Sequence, residues 1–154
     1  MIYSLFQWFG ETDLGVFMRK STWAFAIVET IHLLGLAALG GAVLVVNLTA
    51  GRFLFLRNDG AAIVGAARPA LLASLAVMLL SGGLLVASKP IRYYLDGTFR
   101  AKMLLLALAI AASFLVQHIA TQPRPSTLVL RALAVAALLL WLGVGVCGRI
   151  IGFL

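Results

Sequence analysis

The stretch STWAFAIVETIHLLGLAALGGAVLVV, residues 21–46, decides what kind of protein this is. A helix rises about 1.5 Å per residue, and a bilayer's hydrocarbon core needs roughly 20 apolar residues to cross. This run meets that length. Inside it stand Glu29 and His32, one helical turn apart and therefore on one helix face. Hydrocarbon penalises an ionisable group by several kcal/mol, so such residues face a bundle interior, a partner or a cofactor. The chain's other histidine, His118, closes a second apolar run, KMLLLALAIAASFLVQH, residues 102–118.

The rest of the chain agrees with a membrane reading. Of its 154 residues 63% are hydrophobic and 11% charged, and the mean hydropathy is +1.09. A soluble domain is about half apolar and a quarter charged, so lipid must serve as part of the solvent. Spans are expected over 22–47, 69–87, 103–120 and 128–148, in one domain. Pro69 is placed in the first turn of the second span, where its missing N–H would be unpaired anyway. The preceding AAIVGAAR, residues 61–68, reads as an added helical turn at the interface, and Asp96-Gly97 reads as a turn. Residues 1–20 are rich in aromatic and aliphatic side chains but broken by Gly10, Glu11 and Asp13. They are expected as an amphipathic segment on the membrane surface, with no cleavable leader. The fold class is thus an all-α integral membrane protein, a four-transmembrane-helix bundle with an N-terminal interfacial segment.

The net charge of +7 would suit nucleic acid in a soluble protein. Here the cations sit between apolar runs, where they meet lipid headgroups, and no basic stripe interleaved with aromatics exists. Four spans put both termini on one face. That face would carry Arg19, Lys20, Lys89, Arg92, Arg100, Lys102 and Arg149; the other would carry Arg52, Arg57, Arg68, Arg124 and Arg131. The bias favours cytoplasmic termini in a bacterial inner membrane. The single cysteine, Cys147, forbids an intrachain disulfide and reads as a small packing residue.

Several chemistries can be weighed from these residues. An E-x-x-H pair is the ligand unit of di-iron bundles, which need further carboxylates on facing helices. Five acidic residues in the whole chain are too few for that. A b-type haem suits better, because haem iron accepts neutral imidazole and His32 and His118 lie on different helices. His32 lies about 15 Å along the first span and His118 about 22 Å along the third, a mismatch of roughly 7 Å that tilt would have to absorb. Otherwise each histidine serves its own site, or one haem has a single histidine ligand. Glu29 would tune His32 or pass protons to it. Arg100 and Lys102, opening the third span, would hold haem propionates, or else snorkel to phosphates.

Two cofactor-free readings stay open. In one, Glu29 and His32 form a proton or metal-ion path; four methionines and one cysteine are a poor supply of the soft ligands copper(I) prefers. In the other, the pair is interhelical glue in a structural or assembly subunit. Glycines at 35, 40 and 41 in the first span and at 143, 145 and 148 in the fourth would let helices approach closely. A stand-alone enzyme is not expected, for the chain has no soluble domain, no nucleophile–base pair and no phosphate-cradling loop.

Taken in order, Trp23, Glu29-x-x-His32-x-x-Gly35-Leu36-Ala37, Arg68-Pro69, Tyr93-Tyr94, Phe99-Arg100-x-Lys102-Met103 and His118 resemble a family of short bacterial four-helix membrane proteins of unknown function. A histidine in helix one, a lysine opening helix three and a histidine ending it are also similar to membrane-type protoporphyrinogen oxidases and copper-resistance D-type domains. The Trp-rich motif that those oxidases carry after the first histidine is missing here. That likeness implies a haem b but supplies no reaction. The haem reading itself makes the protein an electron-transfer subunit, with quinone or a partner oxidoreductase as acceptor, and the glycine seams suit assembly with itself or other proteins.

Overall fold

The computed structural model describes residues 2–53, 60–120, 122 and 126–153. Among the described residues seven helices follow one another: α1 (Ile2–Glu11), α2 (Asp13–Lys20), α3 (Thr22–Ala50), α4 (Gly60–Ser88), α5 (Pro90–Leu95), α6 (Gly97–Ala120) and α7 (Thr127–Phe153). Four of them, α3, α4, α6 and α7, are long and apolar enough to cross a membrane. Each shows a leucine to its surroundings: Leu34 is 67% exposed, Leu80 72%, Leu104 64% and Leu139 62%. A belt of such residues around the bundle is a lipid-facing surface. Arg57 and Arg124, assigned above to the far face, lie outside the described residues.

Side-chain chemistry sets the helix ends. Thr12 Oγ1 accepts from the Gly15 N–H at 3.2 Å and Ser21 Oγ from the Ala24 N–H at 3.2 Å, capping α2 and α3. Asp96 Oδ1 accepts from the Thr98 N–H at 2.8 Å and opens α6, so the expected turn at Asp96-Gly97 is present. Pro69 is different. It lies inside α4, nine residues past the start, and residues 61–68 belong to that same helix. Its ring opposes the carbonyl of residue 65, which is a glycine, and Val64 and Ala67 pack into the bundle core on that turn. Burial of the turn outweighs the one backbone hydrogen bond that proline removes.

The bundle is two antiparallel hairpins, α3–α4 and α6–α7, with α3 packing against both members of the second hairpin. The first hairpin follows a seven-residue rule. Val28, His32, Gly35, Leu39, Ala42, Val46 and Thr49 on α3 alternate in steps of four and three, and all are buried or half-buried. Ala67, Leu71, Ser74, Met78, Ser81, Leu85 and Ser88 do the same on α4. Such spacing keeps one stripe against its partner along a left-handed pair. Gly35 shows how tight it is: a Cβ there would stand 3.0 Å from Val77 Cγ1. Gly40 and Gly41 have nothing within 4 Å of that position and lie off the seam. The second hairpin repeats the pattern with Lys102, Leu106, Ala109, Ser113, Val116 and Ala120 against Leu130, Ala134, Ala137, Trp141, Val144 and Gly148. Trp141 Nε1 donates to Ser113 Oγ across it at 2.9 Å. The hairpins join where Ala50, Val116 and Ala134 are buried together.

Candidate functional site

His32 occupies a seam position on α3, and the seam position facing it on α4 is Ser81. Their side chains meet, His32 Nδ1 to Ser81 Oγ, at 2.8 Å. Ser81 Oγ also donates to the Val77 carbonyl at 2.5 Å. A serine hydroxyl has one proton to give. In the arrangement that gives this proton to Val77, Ser81 accepts from His32 Nδ1–H and the imidazole presents its lone pair at Nε2; in the other arrangement Ser81 donates to Nδ1. The ring edge lies against Gly82, where a Cβ would come within 3.3 Å of His32 Cε1. Serine and glycine in adjacent positions thus hold the ring from two sides.

Lys102 joins this layer from the other hairpin. It is half-buried, its Nζ lies 3.3 Å from where a Gly148 Cβ would stand, and it is within electrostatic reach of His32 and of the Cys147 thiol. Gly148 therefore makes room for an ammonium group, a more specific role than helix approach. Arg100, by contrast, is exposed. Glu29 is exposed on α3, one turn nearer the helix start than His32. It acts electrostatically on Tyr93 of α5, whose ring packs on Phe99 at 5.4 Å between centroids. Burial pushes the Tyr93 phenol above its ordinary value; Arg92 pulls it back, and the Glu29 and Asp96 carboxylates push with burial.

His118 does not belong to this layer. It is exposed near the end of α6, with its Nε2 3.4 Å from Gln122 Nε2. Sixteen residues of helix separate it from Lys102, about 24 Å along the axis. Lys102 is within electrostatic reach of His32, so the two imidazoles are held far apart along the bundle. The third span begins at Gly97, earlier than its apolar run suggests, and this widens the offset read from the sequence. Among the described residues no three His, Cys, Asp or Glu side chains gather as a metal site.

Ser81 escapes a reading based on ionisable groups, because a lone serine in an apolar run looks neutral. The signal that marks it is periodic: Ser74, Ser81 and Ser88 recur every seven residues, all three are buried, and all return their hydroxyls to carbonyls of their own helix. Only Ser81 meets an imidazole.

No curated protein and no solved structure matches the chain. The chain belongs to the family of unknown function DUF6644, whose model matches residues 5–154.

Proposed function

We propose that this protein is a membrane-embedded b-type haem-binding subunit that passes electrons, with His32 as the axial ligand through Nε2. The observation that carries the reading is the chain from His32 Nδ1 through Ser81 Oγ to the Val77 carbonyl. A metal-bound histidine needs its second ring nitrogen tied in this manner, which fixes the tautomer and aims the free lone pair. The residues fit one axial position and one counter-charge: Lys102, half-buried in the same layer, suits a propionate. His118 is too distant along the bundle to bind the same iron. When bound, the haem supplies one-electron chemistry. The protein's part is to orient His32, to neutralise a propionate with Lys102, and to set the Glu29 carboxyl and the Tyr93 phenol beside the site. A quinone or a partner oxidoreductase in the bacterial inner membrane would be the electron acceptor.

A second reading, a proton path without cofactor, is favoured by one observation: Glu29 and Tyr93 are electrostatically coupled at the level of His32. The experiment that separates them is a reduced-minus-oxidised visible spectrum of protein expressed with ample haem. The haem reading expects an α-band that His32→Ala abolishes, Lys102→Met weakens and His118→Ala leaves in place. A colourless wild-type protein overturns it. His32-dependent proton flux in liposomes would then support the path, and absence of flux would leave His32 as interhelical glue in a structural subunit.

A further inference from the structure

On the face that carries the chain's beginning, a second constellation stands apart from His32. An open cavity of about 320 Å³ is bounded by α1, α2, the end of α4 and α5. Arg19, Lys89 and Arg92 line it against a single acid, Glu11, whose carboxylate takes a hydrogen bond from Gln7 at 3.2 Å. Pro90 and Ile91 give it an apolar wall.

The cavity is built by close packing. A Cβ on Gly10 would stand 2.5 Å from Pro90 Cγ, and one on Gly15 would stand 2.8 Å from the Gly10 carbonyl and 3.1 Å from that of Ala87. Arg19 pins the assembly, donating to the Ala87 carbonyl at 3.3 Å and to the Gly10 carbonyl, two orphan acceptors near helix ends. A guanidinium has five donors, so three remain. Around the cavity, Tyr3 and Phe6 pack on Tyr94 at 5.6 and 5.5 Å, and Tyr3 and Trp8 are exposed. Amphipathic aromatics at the end of spanning helices mark headgroup depth.

We propose that this cavity seats the headgroup of an anionic phospholipid. Its phosphate lies between Lys89 and Arg92 with Arg19 behind, and its glycerol backbone rests on Pro90 and Ile91. Charge complementarity chooses the occupant, because three cations converge at the depth where lipid phosphates lie, and a zwitterionic headgroup would bring its own cation into their midst. The proposal is independent of the haem reading.

The test is thermal unfolding of the full chain in neutral detergent with added phosphatidylglycerol, phosphatidylcholine or inorganic phosphate. The comparison is wild type against Lys89→Gln/Arg92→Gln, which leaves the Arg19 clamp intact. Phosphatidylglycerol at a hundredfold excess over its dissociation constant is expected to raise the wild-type Tm by about 5 °C. The double variant should lose at least half of that rise, and 0.5 M salt should lower it. Three results would overturn the proposal: equal rises with both lipids, a full rise in the double variant, or inorganic phosphate matching phosphatidylglycerol. Should the double variant fail to fold, Arg92→Lys, which keeps the charge but loses the bidentate fork, is expected to retain most of the rise; its complete loss would count against charge as the cause.

Discussion

At the scale of single residues, His32 is tied at Nδ1 to the Ser81 hydroxyl. Ser81→Ala removes the acceptor of Nδ1–H and frees the ring to turn, and on the haem reading it should lower haem retention about 10- to 100-fold, measured by titration of the apoprotein. Gly82→Leu should do the same by pushing on Cε1, without touching any hydrogen bond. Tyr93 makes a pH prediction. Its folded-state pKa is raised, so the folded chain holds the phenolic proton more tightly than the unfolded one. Stability is unaffected below about pH 10, where both states keep that proton, and falls as pH rises toward the folded pKa. Tyr93→Phe should flatten that alkaline loss in Tm measured between pH 9 and 11. Of this layer, Glu29 and His32 are legible in the sequence because charge in an apolar run is conspicuous. Lys102 reads there as a propionate partner or a snorkelling cation, and the sequence does not choose, since the space that admits it is made by Gly148 on a helix 46 positions later. Ser81 is hidden for the opposite reason, its chemistry being ordinary until a neighbour gives it an orientation.

At the scale of helices, the apolar runs predict four spans, and among the described residues four helices are long and apolar enough to cross a membrane. What they do not predict is which stripe of each helix turns inward, because a span is apolar on every side and the contrast of a soluble amphipathic helix is absent. The heptad of small and polar residues carries that information instead. It separates two kinds of glycine. Gly35→Leu should destabilise the α3–α4 pair by about 1–3 kcal/mol through overpacking against Val77. Gly40→Leu, with open space around it, should leave thermal unfolding in detergent within about 0.5 kcal/mol of wild type. Similar effects at both sites would sink the seam assignment. Pro69 shows the limit of local rules, since a residue that reads as a helix start lies in mid-helix once Val64 and Ala67 have a core to enter.

At the scale of the whole molecule, four spanning helices would return both termini to one face, to which the sequence assigns Arg19, Lys20, Lys89, Arg92, Arg100 and Arg149, while Lys102 turns inward to the His32 layer. Reporter fusions at either end should therefore read the same compartment, expected to be the cytoplasm; opposite signals would refute the even number of crossings. The α3 helix alone contacts both hairpins broadly, and this orders the birth of the protein. A chain leaving the ribosome completes α3 and α4 first, so His32 has its serine before α6 exists. The ammonium of Lys102 arrives only with the second hairpin. The layer is therefore completed only with the second hairpin: a chain stalled after α4 would carry His32 already seated against Ser81 and Gly82, with the place of Lys102 still empty.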